Sequence, residues 1–177
     1  PTLNYVPCPG LAAASAPAAL TDVTDASPAQ HPAAQPAVHP AAHRMAYWEW
    51  NATGNPAHPH VVVCVHGLSR QGRDFDTLAR SLSAHARVIC PDVVGRGQSD
   101  WLTDPQGYQV PFYAGDMIAL LAHLKPQTQT LDWVGTSMGG LIGMAVFGQQ
   151  QVPLPLNLRR LVLNDVGPVI QWDSIVR

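Results

Sequence analysis

Unbroken apolar runs and helically spaced apolar positions take turns along the chain from residue 45 onward. His60-Val61-Val62-Val63-Cys64-Val65 is continuous and rich in β-branched residues, the pattern of a strand buried on both faces of a parallel sheet. From Asp74 to Ala84, Phe75, Leu78 and Leu82 recur at helical spacing, and Arg87-Val88-Ile89-Cys90 reads as the next short strand. The alternation continues with a helix over about Val110 to Leu124, a strand Thr130 to Val134, a helix Met138 to Phe147 and a strand Arg160 to Leu163. Such a series predicts an α/β fold: a mostly parallel sheet with right-handed crossovers and helices on both faces. Upstream, Ala46-Tyr47-Trp48-Glu49-Trp50 is aromatic-rich like a strand, and Asn51 to Pro56 supplies a turn.

Residues 11 to 43 break the pattern. They hold 13 Ala and 5 Pro, with Asp22 and Asp25 as the only ionised side chains, so little large apolar surface is available to bury. Residues 1–44 are therefore expected to be a disordered leader or linker, and residues 45–177 the folded part. His31, His39 and His43 fall in the Ala/Pro stretch at irregular spacing; a metal tract is the sharper reading, but a solvated low-complexity segment is the one adopted, and they receive no role.

A formal charge of -2 and a charged fraction of 12% provide no basic face for nucleic acid or anionic lipid. No apolar stretch approaches the roughly 18 residues needed to span a bilayer, and the start has no basic region followed by an apolar one. Cys8, Cys64 and Cys90 are odd in number, and the last two sit in or beside apolar runs, where a free thiol behaves as a small hydrophobe. Together these features predict a soluble protein of the reducing cytoplasm. The chain starts at Pro1 and stops at Arg177 inside a patterned segment, which is the expectation for an N-terminal fragment.

The candidate chemistry lies in Leu131-Asp132-Trp133-Val134-Gly135-Thr136-Ser137-Met138-Gly139-Gly140. A predicted strand runs into G-x-S-x-G and directly into a helical pattern, the strand-turn-helix setting of a nucleophilic serine. A serine squeezed into so tight a turn points its hydroxyl out of the sheet, and Gly135 and Gly139 let the backbone pass without Cβ clashes. A glycine-rich turn with a capping serine is the bland alternative. The setting, 71 residues after a His66-Gly67 that ends an earlier buried strand, favours the nucleophile.

Three motifs in this order, His66-Gly67-Leu68, Pro91-Asp92-Val93-Val94-Gly95-Arg96-Gly97-Gln98-Ser99-Asp100 and Gly135 to Gly140, resemble the serine-nucleophile branch of the α/β-hydrolase superfamily. The resemblance runs from about Tyr47 to the C-terminus. It implies Ser137 as nucleophile, the backbone N–H groups of Leu68 and Met138 as oxyanion hole, and His66, Gly67, Gly135 and Gly139 as supporting loop. It also implies a small-molecule acyl substrate cleaved through an acyl-serine intermediate, with no metal or organic cofactor. Asp92 and the Gly95 to Asp100 loop resemble scaffolding. Asp116, near a predicted helix start where the dipole favours a carboxylate, reads as capping or packing and not as an acid, and Arg159 and Arg160 as a solvated edge.

The family order is Ser, then acid, then His, yet the last of the eight histidines is His123, upstream of Ser137. The carboxylates after Ser137 are Asp165, which ends a predicted strand and is a possible acid, and Asp173, read as surface. Losing the base of such a unit costs about 10⁶ in turnover, so this stretch alone is expected to be nearly inert. Leu161-Val162-Leu163 would leave an apolar sheet edge, which predicts further strands, and residues 167 to 177 resemble the start of a lid. Two other readings stand beside the ester hydrolase. Asp92 to Asp100 and Asn164-Asp165-Val166-Gly167-Pro168 also resemble carbon-carbon bond hydrolases, and a non-catalytic member could retain the pocket for binding a small molecule.

Overall fold

The computed structural model describes residues 1–9, 42–149, 154, 156–167 and 169. In chain order the elements are β1 (Thr2–Cys8), β2 (His43–Trp50), β3 (His60–Val65), α1 (Asp76–Leu82, entered through a 3-10 turn at Gly72–Phe75), β4 (Arg87–Pro91), α2 (Val110–Leu124), β5 (Thr130–Thr136), α3 (Met138–Gly148) and β6 (Leu158–Asn164). The six strands form one sheet in the order β1-β2-β4-β3-β5-β6. β4, β3, β5 and β6 are parallel, whereas β2 runs antiparallel to β4 and β1 antiparallel to β2.

The unbroken apolar run of β3 follows from its central place. Val61, Val63 and Val65 face a core built with Leu131 and Trp133 of β5, Met117 and Leu121 of α2, and Ile142 and Val146 of α3. Val62 and Cys64 face the opposite core, with Val88 and Cys90 of β4 and with Phe75 and Ala79 at α1. Successive side chains of a strand point to opposite faces, so helices on both faces demand apolar residues at every position. The α/β expectation is met, with α1 covering one face and α2 and α3 the other.

The Ala/Pro leader needs correction at its two ends. Residues Thr2–Cys8 form the edge strand β1, paired with β2 from Thr2↔Glu49 to Cys8↔His43, and Val6 and Cys8 are only 2% and 1% exposed. Pro7 is tolerated there because an edge strand has one side on which no N–H is needed. His43 and Arg44 belong to β2 and not to a linker. Residues 10–41, which hold the bulk of the Ala/Pro stretch with Asp22, Asp25, His31 and His39, lie outside the described residues, as does Asp173.

For Asp116 packing holds and capping does not: it is buried on α2 seven residues into the helix, past the first turn where the dipole acts, and hydrogen-bonds His43 at 2.9 Å. Arg159 is exposed on the edge strand β6, as expected, and its guanidinium also grips the Asp132 carboxylate of β5, with a 2.9 Å contact from Nε. Arg159, with His60 second, holds the Asp132 carboxyl below the usual carboxylate range. At the far side of the sheet β6 presents Val162 at 48% exposure. No described helix is long and apolar enough to cross a membrane.

Candidate active site

Ser137 is the single residue between β5 and α3. Its backbone sits at φ 50° and ψ -115°, a region that costs a non-glycine residue about 1–3 kcal/mol. Neighbours hold it there. The Ser137 N–H donates to the Asn164 carbonyl at the end of β6 (2.8 Å), and the Ser137 carbonyl accepts from the N–H groups of Gly140 (2.8 Å) and Leu141 (3.2 Å). The flanking glycines are required by distance. A Cβ on Gly139 would lie 2.0 Å from the Val65 carbonyl oxygen, and one on Gly135 2.4 Å from the Gly139 oxygen. Any side chain at either position would push α3 off the sheet.

Trp133, fully buried on β5, reinforces the same joint. Its indole N–H donates to the Gly139 carbonyl (3.1 Å), and its ring meets Phe147 of α3 edge-on at 5.4 Å. As the first residue of α3, Met138 carries an amide with no acceptor four residues back, one of the free donors that make a helix N-terminus receptive to negative charge.

Opposite the turn stands the loop after β3. A Cβ added to Gly67 would stand 3.7 Å from the Ser137 Cβ, so the loop passes close to the turn. His66 fixes that loop. Its ring, 1% exposed, accepts the Val93 N–H on Nε2 (2.9 Å), which leaves Nδ1 to carry the proton and donate to the Gly67 carbonyl (2.7 Å). Burial pushes the His66 pKa down from its ordinary value, so the ring stays neutral. With both nitrogens engaged it is a brace between the β3 and β4 loops. Asp92 braces likewise, fully buried and accepting the N–H groups of Gly72 (2.7 Å) and Gln98 (2.9 Å).

Arg96 is the residue that motif reasoning passed over. Its Nε donates to the Leu68 carbonyl (3.1 Å) and its Nη1 to the Val94 carbonyl (2.8 Å) and the Tyr113 hydroxyl (3.1 Å), with the guanidinium over the rings of Tyr113 and Tyr108. It thereby fixes the peptide of Leu68, whose side chain is 64% exposed. No sequence signal beyond its place in the loop marks this role.

Asp165 directly follows the Asn164 that holds the turn, with φ 58° and an exposed side chain. Leu68, Ser137, Met138 and Asp165 therefore gather at the carboxyl ends of β3, β5 and β6, where open α/β sheets bind their ligands. A cavity of about 250 Å³ lined by His66, Gly67, Arg70, Asp74, Phe75 and Thr136 adjoins the turn. His60, His66 and His123 are each engaged away from Ser137, with Asp132, with the brace just described and with the Tyr47 hydroxyl (3.3 Å).

A 3-hydroxybutyrate-oligomer hydrolase of Cupriavidus necator is 53% identical over 134 residues, covering 76% of this chain and 43% of that protein. A 2-hydroxy-6-oxo-2,4-heptadienoate hydrolase of Pseudomonas putida is 35% identical over 115 residues, covering 62% of this chain and 37% of that protein. The chain thus spans less than half the length of these curated relatives. Among solved structures, an alpha/beta hydrolase from Novosphingobium aromaticivorans superposes with a TM-score of 0.63 at 36% identity, covering 75% of this chain and 44% of that one. The model of the alpha/beta hydrolase fold matches residues 60–177, the stretch that carries the parallel strands and the Ser137 turn, and the chain belongs to that family of hydrolases.

Proposed function

We propose that Ser137 is the nucleophile of a serine ester hydrolase whose substrates are short oligomers of 3-hydroxy acids. The observation that carries the reading is the strained backbone at Ser137, held between the Asn164 carbonyl and the first turn of α3 with the Gly67 loop close by. Strain of this kind persists where the surroundings enforce it, and functional residues are commonly held this way. The substrate class is supported by the 53% identity to a 3-hydroxybutyrate-oligomer hydrolase.

In this reading the Ser137 oxygen attacks the ester carbonyl carbon and passes its proton to a general base. The carbonyl oxygen becomes an oxyanion held by the N–H groups of Leu68 and Met138. Loss of one such donor typically costs about 10² to 10³ in rate. Collapse of the tetrahedral intermediate expels the hydroxyl of the next 3-hydroxy acid unit, which takes up the proton. Water then attacks the acyl-serine, releasing the acid and restoring the Ser137 hydroxyl. His66 braces the oxyanion loop, and the proposed base is a histidine supplied by chain that follows residue 177. Asp165, at the end of β6 beside the turn, is the candidate for the carboxylate that orients it.

The test uses the full-length protein with 3-hydroxybutyrate dimer and trimer, following released monomer by chromatography. Turnover is expected, with Ser137→Ala lowering kcat by about 10⁶. Turnover that survives Ser137→Ala, or its absence in the wild type, would refute the reading. Cleavage of a vinylogous 1,5-diketone in preference to the oligomers would instead support the carbon-carbon bond reading, which the 35% identity to the Pseudomonas putida hydrolase favours.

A further inference from the structure

A second cluster of chemically capable side chains lies in the core, on β1, β2 and α2, which carry none of Leu68, Ser137, Met138 and Asp165. Cys8 ends β1, His43 begins β2 directly across from it, and Asp116 reaches them from α2, which packs against β1. Each contributes one ligand atom, and the three atoms all lie within 4.8 Å of one another. The residues are 1%, 8% and 4% exposed. The His43 ring is stacked on Phe112, with centroids 5.4 Å apart and planes inclined by 26°.

We propose that Cys8, His43 and Asp116 form a binding site for one zinc-class divalent ion that fastens β1 to β2 and α2. The donor set selects the ion class. A thiolate, an imidazole and a carboxylate together suit zinc and its neighbours, whereas calcium and magnesium take oxygen ligands. The spacing fits as well. With metal-ligand bonds of about 2.0–2.3 Å, the ligand atoms of a tetrahedral centre stand roughly 3.3–3.8 Å apart. His43 and Asp116, now 2.9 Å apart, would open slightly, and Cys8 would close by about an ångström or less.

Charge points the same way. One thiolate and one carboxylate cancel a dication, so the loaded site adds no net charge to the core. On binding, Cys8 gives up its thiol proton to solvent, and the proton on His43 Nε2 leaves or shifts within the ring. Three protein ligands leave the fourth position to water. A site assembled from three elements far apart in sequence exists only in the folded chain, so the binding free energy becomes folding free energy.

The test is titration of chelator-treated full-length protein with Co²⁺ and then with Zn²⁺. One equivalent of Co²⁺ is expected to saturate a near-ultraviolet sulfur-to-cobalt charge-transfer band, which Zn²⁺ abolishes by displacement, and Zn²⁺ is expected to raise Tm. Cys8→Ser should lose the band, while Cys64→Ala should retain it. Asp116→Asn serves where circular dichroism finds Cys8→Ser unfolded, and it should require a higher Co²⁺ concentration for the same band. Absence of a saturable band in the folded wild type, or an undiminished band in Cys8→Ser or Asp116→Asn, would overturn the site and leave the three side chains as a hydrogen-bonded core cluster.

Discussion

Around Ser137 the critical distances are set by what two glycines lack. A Gly139→Ala methyl would meet the Val65 carbonyl oxygen at 2.0 Å, and backbone on both sides leaves it nowhere to move. Overpacking of this kind costs about 1–3 kcal/mol, so the variant is expected to show a lowered Tm in calorimetry and a loss of ester turnover at once. His66 makes a separate claim on pH. Its folded pKa lies below the ordinary 6.5, so the unfolded chain binds the proton more readily. The contribution of the neutral ring is complete above that ordinary value and is lost as pH falls through it toward the lower folded value. Urea unfolding between pH 8 and pH 5 should show stability declining toward acid, with a shallower slope in His66→Asn. Asp165→Asn separates two roles: as the orienting acid its loss should lower kcat by about 10⁴, whereas an unchanged kcat would leave Asp165 a turn residue.

Among the elements, legibility followed locality. β3 and β5 were readable because burial on both faces writes itself into consecutive residues, and α2 because its apolar spacing is internal to the helix. The turn at Ser137 was readable for a similar reason, since its glycines are neighbours in sequence. β1 was not, because its partner begins 35 positions after Cys8 and a seven-residue strand has no periodicity strong enough to announce such a pairing. The His43–Asp116 and Arg159–Asp132 contacts were hidden for the same cause, each joining residues that only the tertiary fold brings together. The second of these ties β6 to β5 and carries a pH prediction. Arg159 and His60 depress the Asp132 pKa, so the stabilisation is present above the usual carboxylate value and fades as pH falls from that value to the folded one. Asp132→Asn should therefore be less stable than wild type at pH 6, with the gap narrowing below about pH 4 in acid unfolding monitored by circular dichroism.

At the scale of the molecule, four parallel strands with helices on both faces bring three strand ends together, and the proposed site lies at that convergence. Leu68 arrives from β3, Ser137 from β5 and Asp165 from β6, so no one motif could have established the arrangement. Val162 on the edge strand β6 is half exposed, and this chain spans 43% and 37% of the two longer curated relatives. The central claim is that the Ser137 hydroxyl is a nucleophile, and the most direct measurement is covalent labelling of the full-length protein with a fluorophosphonate, mapped by mass spectrometry. The account predicts a single adduct on the peptide containing Ser137, absent from Ser137→Ala; a folded protein that stays unlabelled, or is labelled at another residue, would contradict it.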